Sequence, residues 1–538
     1  HAVESYPLAY DSYRALLELV DAGVPVDDFY RGLTDYAAGQ YDVALVALDR
    51  YIAANPEHDG TALYYRAKTL YEMKRYEEEV ATWTEFIENY PGHRYWIDAW
   101  EEKAYTQWAD LNDIQGGKET LLAFVANNPT NSDAARILMS AARLMDQKGE
   151  NEEAITLWAR ISDEYPASIY ATDSLFLAGI AQYRNGNYNE ALTIFQKGLI
   201  LTSAGEDQAR AYLWIGKTQE KLGDTTAMQN AWQQAQALDK QGYYSLRAAD
   251  LLMGIEPFSL PNLYHPAMDL PTERAEAASW LRVTFSLSPE TNLDTPGELT
   301  NDLRLQRGRE FWELGLYDEA RLEFESLRNE IDNDAATSFR LGNYLLDLGL
   351  YRPAIFAMRQ VLDLAGMESQ AQALRAPIYF SHIRYGLYYN DLVEKSAVEY
   401  EFHPLLIYSV MRQESLFEGF VRSTAGARGL MQIIPATGEN IQSRTGWPIG
   451  YTDNDLYRPL VSVKYGSYYL RSNYNLLNND IYATLAAYNG GPGNAIEWQT
   501  LSQGDPDLFL ESVRFAETRD YIKGIYETYD AYKKIYSQ

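Results

Sequence analysis

Apolar residues recur at helical spacing through the first two thirds of the chain, and one short pattern returns every 34–38 residues. Prolines close four segments of similar form, at Pro56, Pro91, Pro129 and Pro166. The residues twelve positions before these prolines are Ala44, Glu79, Gly117 and Ala154. Later copies of the pattern surround Ala191, Ala227, Ala320 and Ala354.

Each copy predicts a pair of helices. A glycine ends the first helix in the left-handed conformation, a small residue allows the two helices to approach closely, and proline ends the second helix where it is present. The glycines in question are Gly39, Gly186, Gly223, Gly315 and Gly349. One such pair cannot bury its apolar stripe alone, so consecutive pairs should stack into an α-superhelix. The fold class we predict is therefore all-α.

Prolines interrupt the repeats. Six of them fall within 40 residues, at Pro257, Pro261, Pro266, Pro271, Pro289 and Pro296, which excludes one long helix there. We expect a linker or crossover at 257–302 with a short helix near Thr272–Thr284, and stacking that resumes near Leu303. The predicted domains are repeats at 1–256 and 303–374, this linker, and a C-terminal domain at 375–538.

The C-terminal domain contains the candidate chemistry. Pro404 suits the first turn of a nearly all-apolar helix, and Glu414 falls towards its end. A carboxyl group buried there should have a raised pKa, as a general acid at neutral pH requires. Small residues follow at 422–429, and we expect an apolar helix to begin with the Gly-Leu-Met-Gln sequence at 429–432. Two further helices are predicted, one before the turn at 490–493 and one bearing Glu517, Arg519 and Tyr521.

Charge and composition exclude several classes of protein. The 538 residues carry a net charge of −30, most of it in the first 390 residues, which argues against a nucleic-acid binder. Cysteine is absent, so disulfides and thiolate chemistry are excluded. The sequence has no apolar run long enough for a membrane span. The six histidines lack ligand spacing, so we expect no metal and no cofactor.

Four motifs occur in order within about 110 residues: Glu414-Ser415, Gly-Leu-Met-Gln at 429–432, Ala-Tyr-Asn-Gly-Gly at 487–491, and Glu-Thr-Arg at 517–519 with Tyr521. Ser423 and Gly426 precede the second motif. With these motifs, residues 375–538 resemble the catalytic domain of the soluble lytic transglycosylases, a lysozyme-like fold of the goose type. The preceding repeats resemble tetratricopeptide repeats, and the whole layout resembles the large member of that family, whose helices form a ring. The chain departs from the family at Gly490-Gly491-Pro492, where Ala-Gly-Pro is frequent.

The resemblance implies cleavage of the β-1,4 bond between N-acetylmuramic acid and N-acetylglucosamine without water, leaving a 1,6-anhydro end. Glu414 would act first as acid and then as base. The residues that would bind substrate are Ser415, Ser423, Met431, Gln432, Tyr488, Asn489, Glu517 and Tyr521. Tyr488 would also help to fix Glu414. Core packing for Met431, local capping for Ser415 and an ion pair with Arg519 for Glu517 are the structural alternatives.

Two other readings of the function stay open. A goose-type lysozyme would need a second carboxylate to activate water, either Glu418 or an aspartate of the 453–455 loop; we expect Glu418 at the surface and the loop as a helix cap. A non-catalytic scaffold would bind other envelope proteins through its repeats. The expected partner is a peptidoglycan glycan strand, in the periplasm or cell envelope. The chain begins at His1 and shows no targeting segment, so we expect either that such a segment was removed or that the sequence was trimmed.

Overall fold

A computed structural model describes residues 1–261 and 263–537, with Tyr10 described by its backbone alone. The described residues contain thirty α-helices and no β-strand. Their only β-structure is a pair of isolated bridges near residues 422–433. The predicted all-α fold is confirmed. Two compact units divide the chain, His1–Thr202 and Ser203–Gln538. Within the described residues no helix is both long and apolar enough to cross a bilayer.

The first unit consists of helices α1 to α12, each packed against its chain neighbour. They span Ala2–Ser5, Tyr10–Asp21, Asp28–Ala37, Tyr41–Ala54, Thr61–Glu72, Tyr76–Asn89, Trp96–Tyr105, Ile114–Asn127, Ala134–Gln147, Asn151–Glu164, Tyr170–Arg184 and Tyr188–Leu201. A single π-helical turn, Thr106–Asp110, extends α7.

The second unit begins with repeat helices and ends with the C-terminal domain. Helices α13 to α20 span Gly205–Leu222, Thr225–Leu238, Tyr243–Met253, Leu270–Thr284, Leu303–Glu313, Tyr317–Glu330, Ala335–Asp347 and Tyr351–Leu364. Helices α21 to α30 span Gln370–Ala373, Ile378–Arg384, Asn390–Tyr400, Pro404–Ser415, Pro435–Thr445, Pro459–Leu476, Ile481–Gly490, Pro492–Ser502, Pro506–Ser512 and Ala516–Tyr536. Short 3₁₀ turns lie at Gly297–Asn301 and Asp453–Tyr457.

The predicted helix-pair geometry is largely confirmed. All five glycines expected to end a first helix have positive φ, between 73° and 82°. The small residues Ala44, Ala154, Ala191, Ala320 and Ala354 are completely buried. Two positions differ: Ala227 is only half-buried, and Glu79 is a buried carboxyl whose Oε1 accepts hydrogen bonds from Trp83 and Thr106.

A second periodic feature, which the sequence analysis missed, fixes how the pairs pack. A glycine in the first helix faces a large side chain sixteen residues later in the second, and a methyl group on that glycine would come within 2.3–2.8 Å of it. The five pairs are Gly32–Leu48, Gly179–Phe195, Gly216–Trp232, Gly308–Phe324 and Gly342–Met358. Real Cβ atoms essentially never approach so closely, so a larger residue would force the facing side chain to shift. The end of Met358 is flexible enough to move, whereas the rings of Phe195 and Trp232 are rigid.

The proline-rich segment at 257–302 is attached to the C-terminal domain. The backbone N–H of His265 donates to the carbonyl of Tyr536 at 2.9 Å, and Tyr264 donates to Glu394 at 2.8 Å. Its predicted helix is present as α16, and the next α-helix, α17, begins at Leu303.

Buried charges join the repeat helices α13 and α15 to α29. Asp507 is 2% exposed and accepts from Lys217 at 2.6 Å and from Arg247 at 2.8 Å. Glu511, one turn after Asp507 on the same helix, accepts hydrogen bonds from Arg210 and Tyr244. Burial alone would raise the pKa of Asp507, but Lys217 and Arg247 hold it below its ordinary value. The C-terminal domain therefore depends on these repeats for charge neutralisation.

Candidate active site

Helix α24 positions Glu414. Pro404 occupies its first turn, and the seven residues from Leu405 to Met411 are all buried, so the helix lies in the core as predicted. Glu414 falls in the last turn and keeps partial contact with solvent. The helix C-terminus carries partial negative charge, which disfavours an ionised carboxylate there.

The carboxyl group of Glu414 is held by the last helix of the chain. The hydroxyl of Tyr521, on α30, donates to Glu414 Oε1 at 2.6 Å. The pKa of Glu414 is raised to about 7, mainly by burial. The Tyr521 hydrogen bond opposes this rise, and the negative charge of Glu517 adds to it. The group therefore holds its proton near neutral pH, as a general acid must.

Helices α27 and α30 are tied together beside this pair. The hydroxyl of Thr518 donates to Asn489 Oδ1 at 2.6 Å. This bond fixes the start of α30, which places Glu517 at the surface and Tyr521 in the interior. Arg519 donates to the carbonyls of Val513 and Arg514, which gives it a role in securing the entry to α30.

The Gly-Leu-Met-Gln segment at 429–432 is not the start of a helix, contrary to our expectation. Gly429 and Gln432 have φ of 75° and 46°, which a right-handed helix does not admit. Isolated bridges pair Arg428 with Arg422 and Ile433, and α25 begins only at Pro435. Glycine is required at 429, because a side chain there would meet the carbonyl oxygen of Leu456 at 2.0 Å.

Three helices hold this segment in place. Ser415 of α24 can donate to the carbonyl of Leu430 at 2.9 Å, and Ser462 of α26 accepts from the N–H of Met431 at 3.1 Å. Tyr488 of α27 donates to the carbonyl of Met431 at 2.7 Å. The second motif is thus anchored by residues of the first and third.

Several motif residues make contacts in the structure that differ from those we expected. The Tyr488 hydroxyl donates its hydrogen bond to the Met431 backbone, and the direct hydrogen bond to Glu414 comes from Tyr521; Tyr488 interacts with Glu414 through charge. The side chain of Met431 is completely buried against Gly466, a position that favours the core-packing alternative. Ser415 is also buried at the helix end, and its one hydroxyl hydrogen can donate to the carbonyl of either Met411 or Leu430.

The remaining motif residues shape loops near the site. Ser423 accepts from the N–H of Ala427 at 3.1 Å and closes the turn before Arg428. Gln432 donates to the carbonyls of Val421 and Gly429. Among the predicted substrate-binding side chains, Tyr521 and Glu517 shift the pKa of Glu414, and burial together with the charge of Glu414 raises the pKa of Tyr488.

A strained turn follows the candidate acid. Leu416 and Phe417 have φ of 49° and 66°, values that bulky side chains rarely adopt. Strain of this kind persists only where surrounding contacts enforce it, and it concentrates at functional sites. Here the turn directs the chain away from α24 immediately after Glu414.

Glu418 does not lie at the surface as predicted. It is 3% exposed, and its Oε2 accepts from Arg352 of α20 at 3.1 Å. Burial raises its pKa, although the charges of Arg352 and Arg321 oppose the rise. The expectation failed because Arg352 lies 66 residues earlier, in the repeats, where no local pattern could reveal the pairing.

The 453–455 loop forms a cap, as expected. Asp455 accepts from the N–H of Thr452 in a capping box and pairs with Arg458 at 2.8 Å. Asp453 lies 3.6 Å from Arg428. Across residues 1–261 and 263–537, no group of three or more acidic or histidine side chains could hold a metal ion.

Comparison with known proteins agrees with these motifs. Residues 391–507 match the family "Transglycosylase SLT domain", and residues 31–94 and 173–197 match tetratricopeptide-repeat families. The soluble lytic murein transglycosylase of Escherichia coli K12 is 34% identical over 169 residues, which is 31% of this chain and 26% of that protein. A putative soluble lytic murein transglycosylase of Haemophilus influenzae is 26% identical over 228 residues, 42% of this chain and 35% of its own length.

Solved structures extend the likeness to nearly the whole chain. The 70 kDa soluble lytic transglycosylase of Escherichia coli has a TM-score of 0.57 at 18% identity, covering 97% of this chain and 83% of its own. The lytic transglycosylase Slt of Pseudomonas aeruginosa has a TM-score of 0.54 at 17% identity, with coverage of 97% and 85%. At this identity the likeness is one of fold. The chain therefore carries a transglycosylase SLT domain behind tetratricopeptide repeats, and in this organisation it is similar to the soluble lytic transglycosylases.

Proposed function

We propose that the chain is a lytic transglycosylase that cleaves the β-1,4 bond between N-acetylmuramic acid and N-acetylglucosamine of peptidoglycan. The observation that carries the proposal is a single carboxyl, Glu414, which burial keeps protonated near neutral pH at the end of a core helix. The match of residues 391–507 to the SLT domain supplies the substrate class. The substrate places the enzyme in the cell envelope.

In the first step Glu414 gives its proton to the glycosidic oxygen, and the bond from that oxygen to C1 of the muramic acid breaks. N-acetylglucosamine leaves with the new hydroxyl. The 2-acetamido oxygen of the muramic acid stabilises C1 as the positive charge develops. Tyr521 donates to the Glu414 carboxylate as it forms, and a hydrogen bond to a charged acceptor is stronger than one to a neutral acceptor.

In the second step the Glu414 carboxylate takes the proton of the C6 hydroxyl. Oxygen O6 then bonds to C1 and displaces the acetamido oxygen, which forms the 1,6-anhydro ring. Glu414 ends protonated, ready for another cycle, so one group serves as acid and then base. No water is consumed, in contrast with the two-carboxylate scheme of most glycosidases.

The hydrolase alternative needs a second carboxylate that can activate water. The three candidates from the sequence each lie beside an arginine: Glu418 pairs with Arg352, Asp455 with Arg458, and Asp453 lies 3.6 Å from Arg428. Glu517 is exposed and acts on Glu414 through its charge, so it becomes the residue on which a hydrolase mechanism would depend.

Product mass tests the proposal. Purified sacculi digested with the full chain should release muropeptides that lack the added water of hydrolysis and contain no heavy oxygen when the digestion is run in ¹⁸O-water. Glu414→Gln should reduce product formation by about 10²- to 10⁴-fold, the usual contribution of a positioned acid–base group, while folding and glycan binding are retained. Hydrated products would favour the lysozyme reading, and a fully active Glu414→Gln protein would refute both.

A further inference from the structure

A cavity of about 470 Å³ lies within the second unit, between the repeat helices α17, α18 and α20 and the turn that follows α24. Its wall includes Phe417 and Glu418, three and four residues after Glu414. The cavity is therefore adjacent in the chain to the candidate acid, and the mechanism above does not use it.

Aromatic side chains form much of the wall. They are Trp312, Tyr317, Tyr351, Tyr389, Phe417, Phe420 and Tyr457. Tyr317 and Phe420 stack with ring centroids 5.1 Å apart, and Trp312 lies 4.8 Å from Tyr317. Tyr317 remains 41% exposed, so it offers a flat apolar surface to a ligand.

Polar groups lie at one side of this aromatic wall. Arg352 and Glu418 both line the cavity and pair with each other at 3.1 Å. Among the described residues, Glu418 Oε1 accepts no hydrogen bond and Arg352 Nε donates none, although both atoms are buried. Buried polar atoms are nearly always satisfied in native proteins, so these two atoms are available to bond a ligand group or a water molecule.

The character of such a ligand follows from the pair. An anion would be repelled by Glu418 and by Asp318 and Glu319 of the same wall, and a cation would leave the Arg352 donor unmatched. A purely apolar ligand would leave both atoms unmatched. A neutral ring with neighbouring hydroxyl groups can donate to the carboxylate, accept from the guanidinium, and stack its apolar face on Tyr317.

We infer that this cavity is a saccharide-binding subsite, built jointly by the last repeats and the turn after Glu414. The inference rests on the proposed function and adds a second contact for the same glycan substrate. Ligand access to the two covered atoms requires Arg352 to rotate, which its 32% side-chain exposure permits. Ordering of this subsite would also restrain the strained turn at Leu416 and Phe417.

Hydrogen-exchange mass spectrometry on the full-length Glu414→Gln protein tests the subsite, with a β-1,4-linked tetramer of N-acetylglucosamine as probe. The expected result is slower exchange both at 429–432 and in the cavity segments 312–320 and 349–353. Leu316→Trp fills the cavity from its wall and should abolish protection in the cavity segments while protection at 429–432 persists. Leu322→Trp is the matched control and should behave as the parent, because Leu322 lies on α18, which begins directly after Leu316, but is outside the cavity and 60% exposed.

With Glu414 restored, Leu316→Trp should raise the half-saturating concentration of sacculi by about two- to tenfold, the equivalent of one aromatic contact. Protection at 429–432 without protection in the cavity segments would overturn the subsite and leave the proposed function intact. Cavity protection that survives Leu316→Trp would also overturn it. Protection at neither place would contradict the subsite and the proposed function together.

Discussion

The hydroxyl of Tyr521 donates to Glu414 Oε1 at 2.6 Å, a contact between residues 107 positions apart. This hydrogen bond favours the ionised carboxylate, whereas burial and the charge of Glu517 favour the protonated form. Burial prevails, which places the pKa of Glu414 at about 7. The carboxyl can therefore donate a proton near neutral pH, and once ionised it can act as a base that the Tyr521 hydrogen bond stabilises.

Tyr521→Phe removes the influence that favours the carboxylate. The pKa of Glu414 should rise by about one unit, since a hydrogen bond to a charged group contributes about 1.5–3 kcal/mol and water replaces part of it. The alkaline limb of the pH profile of kcat/KM should therefore move to higher pH. Tyr529→Phe is the matched control on the same helix, because the Tyr529 hydroxyl donates to Ser259 instead. A profile unchanged by Tyr521→Phe would show that the hydroxyl does not act on Glu414.

Glu517→Gln should move the same limb in the opposite direction. Removal of a neighbouring negative charge lowers the pKa of Glu414, by a few tenths to about one unit for an exposed group. Glu439→Gln, which removes an exposed charge from α25, should leave the profile in place. If Glu517 instead activates water, its replacement would abolish turnover at every pH, which the pH profile distinguishes from a shift.

Glu414→Gln should stabilise the protein at alkaline pH. A carboxyl whose folded pKa lies above its unfolded value destabilises the fold as pH rises, because the folded state must release a proton that it holds tightly. The increase in the free energy of unfolding should grow between pH 5 and 7 and level off above pH 7 at about 1–3 kcal/mol. It should largely vanish below pH 5. Urea unfolding of the second unit at several pH values measures it. If Glu414→Gln increased the free energy of unfolding equally at every pH, the cost of burying the ionised carboxylate would not be the reason for the increase.

Lys217→Met should destabilise the second unit by about 3–5 kcal/mol, the cost of breaking a buried ion pair from one side. Asp507 would keep Arg247 as its one cationic partner among those the structure shows. Lys221→Met, one turn later on α13 and exposed, is the control. Thermal unfolding provides the comparison, and equal transition temperatures would contradict the dependence of the C-terminal domain on these repeats.

Local sequence patterns predicted much of this fold. The spacing of Pro56, Pro91, Pro129 and Pro166 indicated the helix pairs, and Pro404 ahead of a continuous apolar run placed Glu414 near a helix end. Both depend on interactions within a few turns of chain, which the sequence displays directly.

Contacts between distant segments could not be predicted in the same way. The bonds of Tyr521 to Glu414 and of Arg352 to Glu418 join segments whose meeting depends on the whole fold. The left-handed backbone of Gln432 gives no signal in residue type either, so the segment at 429–432 was assigned to a helix. The sixteen-residue spacing from Gly32 to Leu48, by contrast, is a readable signal, because it recurs in five helix pairs.

Carboxyl ¹³C NMR of glutamate-labelled full-length protein tests the central claim most directly. The signal absent from Glu414→Gln identifies the group, and its chemical shift gives its protonation state at each pH. The account predicts a titration midpoint near 7, with the group largely protonated at pH 6. A midpoint near the ordinary glutamate value of 4.5 would contradict it, because the carboxyl would then have lost its proton before a glycan bound.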